Sequence, residues 1–198
     1  PGRKAYKYGV LAGAAVVAAI LVFMTIRQQG AWRDSMALWS HEIRSVPRAP
    51  IGYYNRGVLY ADMRDFRRAL DDYAMAAALD PEFKDTYVNR GIALLELGRY
   101  GEAIDDFSRY VALDPRYAPA YVNRGNARLK AGDMTGGMED LNEAAKLDPE
   151  DPVPYYNLGF AYLTDGDTEK ARLCFMQAYS LGFDEAATQL RMLEMRAR

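Results

Sequence analysis

The chain has 198 residues, half of them apolar, with a formal charge of −2, one histidine and one cysteine. It is long enough to bury a sizeable core and too apolar to be a disordered tail. The charge is unevenly placed: residues 1–49 carry +5 and residues 50–198 carry −7, and an acidic body lacks the clustered Lys and Arg that phosphate-dominated binding needs, so no nucleic-acid partner is expected. Cys174 alone excludes an internal disulfide and a multi-cysteine metal site, and it is read as a small buried hydrophobe. His41 has no partner for a triad or a zinc site. No catalytic residue, metal or cofactor is therefore expected within these residues, unless an active site lies elsewhere in a longer parent chain.

The first element is apolar. Residues 9–26, GVLAGAAVVAAILVFMTI, contain no charge, and as a helix they would be roughly 27 Å long, enough to span a hydrocarbon core. Tyr6 and Tyr8 precede the run and Trp32 follows it, at the places interfacial aromatics take. A cleaved signal peptide is the rival reading. The run is longer than the ~7–15 apolar residues of such a segment, however, and Ile26-Arg27-Gln28-Gln29 offers no small-residue cleavage site. Residues 1–29 are read as a transmembrane anchor with a basic flank. Arg3, Lys4 and Lys7 outnumber Arg27 and Arg33 on the other side, which favours a cytoplasmic N-terminal side and places the remainder in the periplasm or lumen. Gly9 and Gly13 form a GxxxG that would let a second span approach.

From residue 50 a 34-residue period sets the pattern. YYNRG at 53–57, YVNRG at 87–91, YVNRG at 121–125 and YYNLG at 155–159 each begin 34 residues after the last. Ala69, Ala103, Gly137 and Ala171 follow in register, then Tyr73, Phe107, Leu141 and Phe175, and three copies close on Leu-Asp-Pro. Each copy reads as two helices. The first carries aromatic, small and apolar residues at helical spacing, and its glycine lets the second helix approach. Gly98, Gly132 and Gly166 stand between the two, where a left-handed C-cap favours glycine, and proline stops the second helix. The 30–49 segment is half a copy, a connecting helix over about 32–46, with Ser35 and Trp39 at the small and aromatic positions. Its partner helix would be the lower end of the membrane span. Asp184 begins a C-terminal capping helix over 186–198, with Leu190, Leu193 and Met192 or Met195 covering the last copy.

This pattern resembles the tetratricopeptide repeat over residues 50–185, in copies 50–83, 84–117, 118–151 and 152–185. The resemblance implies an all-α solenoid, a right-handed superhelix of helix pairs with a concave and a convex side, preceded here by one transmembrane helix. It places Asn55, Asn89, Asn123 and Asn157 on the concave wall, a ladder similar to that in O-linked N-acetylglucosamine transferases. An amide can both donate to and accept from an extended peptide backbone, or it can bond locally between neighbouring first helices; both roles stay open. Around the ladder the implied groove positions are Tyr54, Val58, Val88, Ile92, Val122, Asn126, Tyr156 and Phe160. Tyr54, Pro119 and Asn123 stand where chaperone-binding members hold a carboxylate with basic residues, so a carboxylate clamp is not expected.

Arg56, Arg90 and Arg124 occupy a position usually filled by leucine in that family. Asp72, Asp106 and Asp140 accompany them in register, while the fourth copy has Leu158 and Cys174 at the two places. The joint appearance and joint loss point to ion pairs between first and second helices; an arginine row for acidic ligands is the alternative. The junction WRDSMALW at 32–39 resembles that of polytopic membrane glycosyltransferases with C-terminal tetratricopeptide repeats. The functional expectation is a membrane-anchored scaffold that binds an extended protein segment in its groove; the alternative is the non-catalytic, acceptor-recruiting C-terminal part of such an enzyme.

Overall fold

The computed structural model describes residues 33–196 together with Met24. The apolar stretch at 9–26, apart from Met24, lies outside them, as do its flanking residues up to Trp32. Among the described residues no helix is long and apolar enough to cross a membrane.

Helix α1 spans residues 33–45. It is followed by α2 (Pro50–Asp62), α3 (Phe66–Leu79), α4 (Lys84–Glu96), α5 (Tyr100–Leu113), α6 (Ala118–Ala131), α7 (Met134–Leu147), α8 (Pro152–Asp165), α9 (Thr168–Ser180) and α10 (Glu185–Arg196). The described residues contain no strand. Helix starts follow the local chemistry. Proline occupies the first turn of α2, α6 and α8, where its missing N–H costs nothing, and Asp65, Asp133 and Asp167 accept the backbone N–H three residues on at the starts of α3, α7 and α9. Between the paired helices Gly98, Gly132 and Gly166 are left-handed, at φ 71°, 90° and 87°. The first copy puts Arg64 in that place at φ 58°, a conformation a residue with a Cβ adopts only at some cost.

Helices pair as α2 with α3, α4 with α5, α6 with α7 and α8 with α9, and each second helix then packs on the next first helix. Successive first helices also touch one another, α2 with α4, α4 with α6 and α6 with α8, which puts them on the inner side of the stack. The core runs along the pair interfaces. Tyr73, Phe107, Leu141 and Phe175 are at most 1% exposed, as are Ala69, Ala103 and Ala171. A Cβ on Gly91 would stand 2.7 Å from the Phe107 ring and one on Gly159 2.5 Å from the Phe175 ring, so the aromatic seats directly on the first helix's backbone.

The third copy solves the same problem differently. Leu141 replaces the aromatic, Gly137 replaces alanine, and a Cβ on Gly137 would meet Leu129 Cδ2 at 2.6 Å and the Gly125 carbonyl oxygen at 3.0 Å. Gly137→Ala, although it restores the alanine of the other copies and improves helix propensity, should therefore destabilise the array by roughly 1–2 kcal/mol. A rise in the urea midpoint would show that Leu129 and the Gly125 backbone yield freely.

Both ends depart from the sequence expectation in detail. Ser35 and Trp39 in α1 are only half-buried, and α1 meets the array through Glu42 and Ile43, which approach Gly52. The partner helix expected for α1 falls outside the described residues. In α10, Ala186 and Leu193 are buried and Leu190 packs against the α9 core, but Met192 and Met195 face solvent, at 39% and 69% exposed. Neither methionine covers the last copy: the turn between them and Ala186 carries the inward face through Leu190 and Leu193 instead.

Candidate functional site

The arginine–aspartate row is a bracing element. Arg56 donates through Nε and Nη2 to both carboxylate oxygens of Asp72 at 2.7 Å each. Arg90 does the same to Asp106 at 2.8 and 2.5 Å, and Arg124 to Asp140 at 2.9 and 2.7 Å. The aspartates are buried and the guanidinium groups stack against Tyr53, Tyr87 and Tyr121. Arg128 adds a third donor to Asp140, and Arg124 Nη1 reaches the Ser108 hydroxyl of the preceding copy at 3.3 Å. In the fourth copy Leu158 and Cys174 share one apolar cluster, and burial pushes the Cys174 thiol up, away from the thiolate a reactive cysteine needs.

On the inner face the structure divides the groove residues into separate groups. Val58, Asn89 and Ile92 line one open cleft of about 300 Å³ between the first two copies. Its rim carries Asp62, Arg64, Phe66 and Glu96, with Arg64 Nη2 3.5 Å from Glu96 Oε2. An adjoining depression of about 170 Å³ is walled by Tyr54, Val88, Asn89, Asp85, Tyr110 and Tyr117. Asn89 borders both, and its Nδ2 donates to the Tyr54 hydroxyl at 2.8 Å, a local bond between neighbouring first helices. Asn55, Asn123 and Asn157 are half-buried, and among the described residues none of them has a side-chain hydrogen bond of this kind.

Tyr156 and Phe160 stand apart at the far end. They pack edge-on against Phe175, with Tyr156 also 4.7 Å from Phe183 between ring centroids, while Phe160 stays 40% exposed. Asn126 is half-buried in α6 between these groups. Val122 is not on an accessible wall: it is 7% exposed, packed with Leu141, Ala144 and Leu158, because the α6–α7–α8 contact closes over it.

The acidic and aromatic members of these depressions, Asp62, Glu96, Asp85, Tyr110 and Tyr117, were not among the sequence candidates. The signal for one of them is a break in the period. Ala76, Ala144 and Ala178 occupy one register position, and the second copy places Tyr110 there. Burial raises the Tyr110 hydroxyl, with Lys84 pulling the other way, and burial raises that of Tyr54 with the charge of Asp85 adding to it. The hydrogen bond from Lys84 holds Asp114 below the usual carboxylate range. Both phenols are thus neutral near pH 7. On the outer side a cleft of about 410 Å³ between α3 and α5 is lined by Asp71, Asp105, Asp106, Glu102, Arg90 and Arg99, the last paired to Glu102. Among the described residues no group of three or more His, Cys, Asp or Glu side chains comes together as metal ligands would.

Among solved structures the chain is similar to MamA 41-end from Desulfovibrio magneticus RS-1, with a TM-score of 0.74 and 25% identity over 78% of this chain and 87% of that one. A further MamA crystal structure gives 0.74 and 22% over 81% and 94%. YrrB, described as a TPR protein with an unusual peptide-binding site, gives 0.71 and 21% over 85% and 84%. These likenesses show the fold. No curated protein matches the chain. A tetratricopeptide repeat profile matches residues 54–118 and again 88–152, together half of the chain, and a second such profile matches 141–173. With the period, the helix pairing and the profiles in agreement, the chain belongs to the tetratricopeptide repeat family, a scaffold fold for protein–protein interaction.

Proposed function

We propose that this chain is a membrane-anchored tetratricopeptide scaffold, exposed on the periplasmic or lumenal side, that holds an extended segment of a partner protein along its first-helix face. The observation that carries the reading is the open cleft of about 300 Å³ where Val58, Ile92 and Asn89 converge from two successive copies. It offers apolar contact and an amide within one residue's reach of each other, as an extended peptide requires. The peptide-binding description of YrrB, whose fold is similar, supports the same use of the face. The anchor rests on the uncharged run at 9–26 and its basic flank.

A photocrosslinking residue at Ile92, incorporated in the full chain in its native membranes, is expected to give a discrete higher-mass adduct. It should remain in the membrane pellet after carbonate extraction. The same residue at Asp71, in the outer cleft, is expected to give none. An adduct from Asp71 with none from Ile92 would move the binding face to the outer helices, and release by carbonate would remove the anchor.

A further inference from the structure

We propose that the depression framed by Tyr54, Tyr110, Tyr117 and Asp85 receives one cationic side chain, lysine or arginine, of the bound partner. This deepens the peptide-groove reading and rests on it for the source of the cation, but the pocket's own chemistry can be tested apart from it.

The walls are those a cation needs. Tyr117, 41% exposed, and the half-buried Tyr54, whose ring is fixed by the Asn89 amide at its hydroxyl, face the depression, while Tyr110, 4% exposed and packed with Ala77, Tyr87 and Ala120, forms its floor 5.1 Å from Tyr117 between ring centroids. Ring faces attract a cation that gives up part of its water. Asp85, in the first turn of α4, adds a full negative charge: it is exposed, and no ion pair engages it among the described residues. The cation next to it, Lys84, pairs with Asp114 at 2.5 Å and already sits over the Tyr110 ring, its Nζ 5.7 Å from the centroid, so the ring faces left to a partner's cation are those of Tyr54 and Tyr117. The Lys84–Asp114 pair is neutral overall, so the depression keeps the charge of Asp85, and burial keeps Tyr54 and Tyr110 un-ionised. At about 170 Å³ it is smaller than the ~300 Å³ at which small-molecule pockets begin and suits a single long side chain.

The site is built once and does not repeat. At the register position of Asp85 the other copies have Ile51, Pro119 and Val153, and where Tyr110 stands they have alanine. Both changes fall in the second copy and meet in the same depression. Tyr110 packs in the core, so the change that marks the depression at its surface is Asp85, an exposed charge where the other copies are apolar or proline.

The test uses the full chain in a neutral detergent with carbon-13-labelled tyrosine, titrated with butylammonium, butylguanidinium and 1-butanol. The two cations are expected to shift the ring signals of Tyr54 and Tyr117 saturably, with the alcohol giving no saturable shift. Asp85→Asn, an exposed change that leaves the core untouched, is expected to weaken the cation response by roughly fivefold or more. Stronger response to butylguanidinium assigns the pocket to arginine, stronger response to butylammonium to lysine. Equal shifts from the alcohol, no saturable shift from either cation, or an unchanged response in Asp85→Asn overturns the proposal. A cation response without crosslinking at Ile92 leaves the pocket standing and the groove reading fallen; crosslinking at Ile92 with no cation preference does the reverse.

Discussion

Arg90→Leu should lower the unfolding free energy by about 3 kcal/mol, the lower end of the range for breaking a buried pair because the Arg90 side chain is still 25% exposed. The loss comes less from the missing attraction than from what remains. Asp106, whose side chain is 7% exposed, would keep its charge with both oxygens unpaired, and among the described residues no second cation reaches it. Arg90→Leu combined with Asp106→Cys reproduces the Leu158 and Cys174 of the fourth copy and should recover most of the loss, because two apolar groups of fitting size need no partner. The third copy supplies an internal control: Arg124→Leu leaves Arg128 donating to Asp140 at 2.9 Å, and should cost about half as much. A double-mutant cycle by urea unfolding reads the coupling directly. Arg90→Leu within about 0.5 kcal/mol of the parent, or a double variant no better than the single, would show that the pair is ornamental. In that case the arginine row would return as a candidate ligand surface.

What could be read from the sequence was whatever the solenoid repeats. Gly91 against Phe107, Arg90 against Asp106 and the left-handed Gly98 each follow from a contact that the period stamps several times, so the register exposes them. What happens once was invisible to that reasoning. Tyr110 and Asp85 stand out only when a copy is compared with the others for its departures, and Tyr117 only through its contact with Tyr110, since the first copy also has an aromatic, Phe83, at that position. The asparagine ladder shows the same limit. The register puts four amides on one face, yet only Asn89 has a tyrosine hydroxyl 35 residues before it; Asn123 and Asn157 have Val88 and Val122 there. The ladder is uniform in residue type and uneven in bonding, so Asn89→Ala carries a local structural cost that Asn123→Ala does not. Val122 was misplaced for a related reason. Val88 and Val122 share the register position, yet Val88 lines an open depression while Val122 is closed over by Leu141, Ala144 and Leu158, so the register alone does not fix burial.

Gly91→Ala should change sign with its neighbour. Alone it puts a methyl group 2.7 Å from a ring that is 0% exposed and held by Leu94, Ala103 and Ala127, and overpacking of this kind should cost roughly 2 kcal/mol even after the gain in helix propensity. Phe107→Ala alone should cost about 3–5 kcal/mol, the transfer loss plus the cavity left between α4 and α5. In that background the Gly91 methyl meets empty space, so adding Gly91→Ala should restore about 1 kcal/mol. Destabilisation by Gly91→Ala in both backgrounds would mean that the glycine serves the backbone and not the ring. The pair also links the core to the binding face. Helix α4 carries Phe107's contact at Gly91 and, on its inner side, Asp85, Asn89 and Ile92. If the ring sets the height of α4, Phe107→Ala should speed amide exchange at Val88 and Asn89 more than at Tyr156, two copies away, since a solenoid passes strain chiefly to its nearest neighbours. Equal acceleration along the whole array would instead make the cleft a property of global stability.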